Sequence, residues 1–295
     1  MFYLGKELNA YKANLHTHST TSDGKFTPAQ VISFYEMRGY DVLSFSDHRK
    51  TNDLSALPET KMTLLSGIEL HPPHPRFGIW HLLATNVPHG FPGEYETAQE
   101  AVDAVNAVGG IIWGAHPYWC GTRHEELMEL KGLAGIEVYN SSTRYIGKEF
   151  NMQIWDELLD AGWICPAIAV DDIHNLQDLG HGWTMILAED KSPESLVKAL
   201  KNGSYYSTQG PEFTRIELDG HMLHAEFSEV VSAVVVGRFA SGYCETVPGQ
   251  PFPGDVTPCR ELTMDLRRCR TAGRIQLRDA AGRYAWSNPI PVPAE

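Results

Sequence analysis

Thirteen histidines and thirty-seven acidic residues give this chain a large stock of nitrogen and oxygen donors. Many of them stand directly after apolar runs. In "LHTHS", His16 and His18 are two residues apart, so in extended geometry both imidazoles project to one face and can share one ion. Asp23 follows in the turn pair Asp23-Gly24. "VLSFSDH" delivers Asp47 and His48, "TLLSGIELH" delivers Glu69, and "GIWHLLA" sets His81 inside an apolar run. "IIWGAHPYW" presents His116, "GIEVYNSSTR" presents Glu137, Asn140 and Arg144, and "ICPAIAVDDIH" ends in Asp172 and His174. Taken singly, the His16–His18 and Asp47–His48 pairs read equally well as a polar strand end or a capped loop start, Asp23 reads rather as a turn residue, and His81 rather as a hydrogen-bonded core histidine. Together, at least five strand ends each supply a His, Asp or Glu. Imidazole and carboxylate donors without thiolate suit zinc, manganese or iron, and so many of them imply more than one ion.

Such ligands converge only if the fold gathers strand ends on one face. Up to about Gly210, apolar runs alternate with helical patterns. The runs are 13–15, 42–45, 64–68, 81–84, 111–114, 136–138, 164–170, 185–187 and 205–207. The helices expected are 28–38 behind the Thr27 cap, 97–108, 123–130, 148–161 and 193–201 behind Ser192. That alternation predicts a parallel α/β sheet or barrel, whose strand carboxyl ends form one face. Beyond Gly210 short alternating segments separated by Gly and Pro predict an antiparallel β module. All ten lysines lie at or before Lys201, and the nine later cationic residues are all arginine. The domains expected are therefore 1–210 and 211–295.

Composition narrows the function. A formal net charge of -13 opposes binding to nucleic-acid polymer or anionic membrane. No apolar run spans a bilayer, and the first residues carry no secretory pattern, so the expectation is a cytoplasmic protein. Five cysteines with no C-x-x-C pair argue against a disulfide framework and against a cysteine-rich zinc site, and they read as reduced packing residues.

The segments "LHTHSTTSDG", "SFSDH", "GIEL", "HLLA", "AHP", "GIEVYN" and "DDIH", in this order, resemble the polymerase and histidinol phosphatase (PHP) superfamily of metal-dependent hydrolases. The resemblance implies a distorted (β/α)7 barrel over roughly the first 210 residues, followed by the small C-terminal antiparallel β module. It also implies two or three divalent ions, Zn, Mn or Fe, at the strand carboxyl ends. His16, His18, Glu69 and Asp172 would hold one ion, Glu69 would bridge to a second held by His81 and His116, and Asp23, His48 and His174 would hold a third. Ions so placed make hydroxide available near neutral pH and stabilise charge developing on a phosphoryl or carbonyl oxygen. Glu69, with Asp47 and Glu137 as orienters of ligands, makes up the expected catalytic set. Arg144, Lys148 and Asn140 are the residues expected to meet a small anionic substrate.

The "SDG" form resembles a branch of small nucleotide phosphoesterases. The short 81–116 interval leaves no room for the domain those enzymes insert, and the tail resembles the CehA/McbA-like group, some of which hydrolyse aryl carbamates. The leading expectation is a phosphoesterase for a nucleotide or sugar phosphate. Carbamate, ester or amide hydrolysis is the alternative, and a non-catalytic metal-binding interaction module is a third reading. Trp80, Trp113, Tyr118 and Trp119 are aromatics close to ligand strands, read as core. Self-association would use the β module.

Overall fold

A computed structural model describes residues 1–248 and 257–294. Nine strands of four residues or more lie in the first part: β1 (Asn9–Asn14), β2 (Val42–Phe45), β3 (Thr63–Leu70), β4 (Leu82–Thr85), β5 (Ile111–Gly114), β6 (Gly135–Asn140), β7 (Ala167–Val170), β8 (Trp183–Ala188) and β9 (Tyr205–Thr208). β2, β4, β5, β6 and β7 are buried along their whole length. That is why they read as continuous apolar runs rather than alternating ones.

β1 to β7 lie side by side in sequence order. The sheet curls until its ends approach, and a bridge between Thr17 and Ile173 joins the chain leaving β1 to the chain leaving β7. Residues from six strands then meet in one enclosed cluster: Ala13, Leu65, Leu83, Trp113, Ile168 and Ile186. The helix α4 (Pro193–Lys201) adds Leu196 and Leu200 to that cluster. On the outer face, helices α2 (Ala98–Ala107) and α3 (Met152–Asp160) cover β3 to β7, and α1 (Pro28–Met37) covers β2. Thr27 and Thr97 start α1 and α2 with reciprocal caps to Gln30 and Glu100.

The expectation of a parallel sheet needs correction at three strands. β4 runs antiparallel to both β3 and β5. The connection over residues 71–81 is shorter than the dozen or more residues that a parallel crossover requires, so the chain must turn straight back. β8 and β9 are antiparallel as well. The expected 148–161 helix begins only at Met152. Asn140 and Asn151 form backbone hydrogen bonds across to Glu149 and Val138, which draws residues 149–151 into extended pairing beside β6.

Beyond residue 210 follow β10 (Phe213–Asp219), β11 (Met222–Val230), β12 (Ser232–Gly237), β13 (Gly242–Thr246), β14 (Cys259–Asp265), β15 (Ala272–Arg278) and β16 (Tyr284–Ser287). Their mutual pairing is antiparallel. β16 pairs with β9, so the main sheet runs on across residue 210. Phe2–Tyr3 pairs in parallel with β10, so the first residues lie with the last part of the chain. Arg274 crosses between the parts: it is buried, stacks on Trp155 and donates to Asp156 of α3.

Candidate metal centre

The strands deliver their donors to one end of the curled sheet. After β1 the chain stays extended, so His16 and His18 face the same way with their Nε2 atoms 3.0 Å apart. Asn14 fixes this stretch: its amide donates to His16 O and Thr17 Oγ1, and its Oδ1 accepts from Asp171 N at 2.8 Å. Glu69 lies near the end of β3 and is 1% exposed. Because β4 is antiparallel, His81 precedes it and still reaches the end where the other strands finish. His116 follows β5 at φ +25° and Asp172 follows β7 at φ +52°. Backbone held there costs about 1–3 kcal/mol per residue and persists only where the surroundings dictate it.

Glu69 is the hub. Its Oε1 lies 2.9 Å from His81 Nδ1 and 3.5 Å from His116 Nε2. Its Oε2 lies 2.8 Å from His48 Nδ1 and 3.5 Å from Nε2 of both His16 and His18. Asp172 Oδ1 lies 3.0 Å from His18 Nε2, 3.3 Å from His16 Nε2 and 3.6 Å from His174 Nδ1. Atoms about 2.1 Å from a shared tetrahedral ion stand about 3.4 Å apart, close to the spacings of 3.3–3.6 Å, whereas those of 2.8–3.0 Å are at hydrogen-bond length. Asp23 is 54% exposed at its side chain, yet its carboxylate faces His48 at 3.3 Å, His174 at 3.5 Å and His18 at 3.7 Å. Among the described residues, donors converge in four groups, three of them overlapping: His16, His18 and Glu69; His18, Asp23, His48 and His174; His48, Glu69 and His71; and, separately, His81, His116 and Cys120.

The electrostatics call for cations. Burial alone would raise the carboxyl pKa of Glu69 and of Asp172, but the imidazoles around them hold both well below the usual range. Burial opposes charging His48 and His174, and their carboxylate neighbours overcome it, raising His48 to about 10 and His174 to about 9. In the metal-free cluster, protons supply the positive charge. Asp172 Oδ1 is buried among three imidazoles and has no hydrogen-bond donor, and His18 Nδ1 is likewise buried without a partner. A carboxylate oxygen in that position fits a divalent ion, as does the mixed imidazole and carboxylate donor set.

The remaining candidates take supporting positions. Glu137 is buried: one oxygen meets His16 Nδ1 at 2.6 Å, and the other accepts from His116 N and Asn140 Nδ2. It orients two candidate ligands at once. The Asp47 carboxylate bonds to none of them, although its backbone carbonyl accepts from Glu69 N at 3.3 Å. The carboxylate is buried and accepts from the backbone and hydroxyl of both Ser19 and Ser22 and from Asn52, pinning the loop that carries Asp23. Gly24 ends that loop, and a Cβ there would come 2.7 Å from His18 C, so only glycine allows the approach.

The three residues expected to meet substrate have these surroundings. Asn140 is buried, with its amide committed to Glu137 and Asp172 and its carbonyl to Ser142 N and Thr143 N. Arg144 donates to Gln177 O, and the Lys148 ammonium lies over the Tyr118 ring. A cavity of about 220 Å³ opens at the cluster, walled by the candidate ligands and by Trp119, Ser142 and Thr143. Neither Arg144 nor Lys148 lines it. Trp119, expected in the core with its neighbours, is 43% exposed and stands edge-on to His81 and His116. Trp80 and Trp113 are buried, whereas Tyr118 is exposed.

Two residues of the cluster escaped the sequence reading. His71 repeats the two-residue spacing of His16 and His18, starting from Glu69. Cys120, read as packing, lies one helical turn beyond His116 with its Sγ 3.4 Å from His116 Nδ1. All five cysteines are free.

An imidazole and carboxylate cluster at one end of a curled α/β sheet describes a class of metal-site architecture. Comparison with solved structures makes it particular. A two-domain protein from Bacteroides vulgatus containing a predicted PHP-like metal-dependent phosphoesterase matches over 92% of this chain and 90% of its own, with a TM-score of 0.56 and 15% identity. The chain has that PHP-like fold. An amidohydrolase from Chromobacterium violaceum, with bound sulfate and no metal, matches over 65% of this chain and 96% of its own at 18% identity and a TM-score of 0.47. A lesion-specific endonuclease from Pyrococcus furiosus matches over 66% of this chain and 56% of its own at 17% identity and a TM-score of 0.47. No protein-family model matches the chain, and neither does any curated protein.

Proposed function

We propose that the protein is a metal-dependent hydrolase of the PHP type, built on a (β/α)7 barrel with residues 211–295 as an appended β module. The observation that carries this reading is the convergence of His16, His18, His48, His81 and His116 on Glu69, with Asp172 Oδ1 buried beside His16 and His18 and without a hydrogen-bond donor. His16, His18, Glu69 and Asp172 would hold one ion, His81 and His116 with Glu69 a second, and Asp23, His48 and His174 a third. Zinc, manganese or iron suits these donors. When bound, such ions supply Lewis acidity and an activated water.

The chain's own groups then have defined tasks. Glu137 holds His16 and the His116 backbone, Asp47 holds the loop bearing Asp23, and Ser142, donating to Asp172 Oδ2 at 3.0 Å, steadies the carboxylate shared by His16 and His18. The substrate class we favour is a small phosphomonoester, a nucleotide or sugar phosphate. The cavity is small and its donors are hydroxyls and imidazoles, so the ions themselves would meet the phosphoryl charge. Trp119 on the cavity wall favours a second reading, an aryl ester, amide or carbamate with an apolar leaving group.

The test loads the purified protein with zinc or manganese and offers matched panels of phosphomonoesters, aryl esters and aryl carbamates. Turnover of phosphomonoesters supports the first choice, and turnover of the aryl panels alone supports the second. Stoichiometric metal with no turnover on any panel would leave a metal-binding interaction module. Glu69→Ala, assayed for metal content and turnover together, is expected to lose both.

A further inference from the structure

His71 belongs to none of the three ligand sets above, yet it is buried between two of them. Its ring stands edge-on to His48 and to His81, with centroids 4.6 and 4.5 Å away. Its Nε2 is 2.7 Å from His48 Nδ1 and 3.6 Å from Glu69 Oε2. His48 turns its other nitrogen, Nε2, towards Asp23 Oδ2 at 3.3 Å, and His174 reaches the same carboxylate.

An imidazole that offers its Nε2 lone pair to a cation carries its proton on Nδ1, and the partner of that N–H fixes the ring. His48 Nδ1 has two acceptors in range, His71 Nε2 at 2.7 Å and Glu69 Oε2 at 2.8 Å. Two ring nitrogens 2.7 Å apart are at hydrogen-bond length, shorter than the 3.0 Å between the His16 and His18 nitrogens and than the roughly 3.4 Å between two ligands of one tetrahedral ion. That spacing suits an N–H on one ring directed at the other.

We propose that His71 is a positioning residue whose Nε2 accepts the His48 Nδ1 proton, locking His48 with its Nε2 towards Asp23 and leaving Glu69 Oε2 free for an ion held with His16 and His18. His71 must then carry its own proton on Nδ1, which is buried without a partner. That arrangement costs desolvation and is tolerable because it orders the neighbouring ligand. The proposal rests on the metal-centre reading.

Metal content and stepwise affinity, measured with zinc and with manganese on the full chain, would be compared for the wild type, His71→Phe and His71→Gln. His71→Phe keeps the ring volume and removes the acceptor. It is expected to weaken one ion by about 10- to 100-fold while the others bind as before. His71→Gln, whose amide oxygen can accept, is expected to recover part of that loss. Imidazole nitrogen NMR on the zinc-loaded wild type should show His48 and His71 both protonated at Nδ1, and it decides the matter if His71→Phe does not fold. Unchanged affinities in a folded His71→Phe, or a His71 Nε2 shifted by direct metal coordination, would overturn the proposal. A wild type that binds no divalent ion would instead overturn the metal centre itself.

Discussion

At the residue scale the site depends on how few groups tie it together. Glu137 contacts both the His16 ring and the His116 backbone. Glu137→Gln keeps its shape but loses the charge that draws the His16 Nδ1 proton. Metal affinity is expected to fall about 10- to 100-fold, measured by chelator competition. Gly24→Ala should act differently, because the added carbon meets the His18 backbone at 2.7 Å and forces the Asp23 loop outward. The ion predicted at Asp23, His48 and His174 is expected to be lost while the ion at Glu69 and Asp172 remains, giving one ion fewer per chain. Protons also compete with metal. His48 at about 10 and His174 at about 9 are charged at neutral pH in the metal-free state, so loading must displace protons. Affinity should therefore strengthen as pH rises from about 6 to 8, with proton release detectable by calorimetry in buffers of different ionisation enthalpy; a pH-independent affinity would contradict the cluster as drawn.

At the scale of elements, what the sequence disclosed follows from what strand burial writes into it. Fully buried strands such as Val42–Phe45 and Ile111–Gly114 appear as unbroken apolar runs, and both strands have the bounds read from them. The residue after each run, His48 or His116, inherits its place from the strand. Strand direction is not written in the run itself. β4 looked like its neighbours, and only the length of the 71–81 connection encodes its reversal. Side-chain commitments were equally silent. Asn140 has the composition of a substrate contact, but besides Glu137 of its own strand it holds Asp172, beyond the end of β7, a coincidence in space that spacing cannot reveal. His71 shows the same limit in reverse, since its partner His48 arrives from β2. The caps were local and therefore legible. Removing the Thr97 hydroxyl by Thr97→Ala breaks its bond to Glu100 N and should cost about 1 kcal/mol, read from denaturant midpoints.

At the scale of the molecule, the enclosed cluster behind the site fixes the spacing of the strands that carry it. Leu83 is fully buried there among residues from five other strands. Leu83→Ala should cost about 2–5 kcal/mol in thermal or denaturant unfolding. A loss below about 1 kcal/mol would mean that the enclosure is looser than the structure shows. Among the described residues no helix is long and apolar enough to cross a membrane.

The pairing of β9 with β16 bears on the order in which the chain can be finished. Tyr205–Thr208 is buried, and one of its two edges is covered only by a strand made almost eighty residues later. While a ribosome is still extending residues 211–283, that edge has no partner, and an open apolar edge recruits other chains. The vulnerable stage is thus late in synthesis, after every candidate metal ligand has emerged but before the sheet beside them is closed.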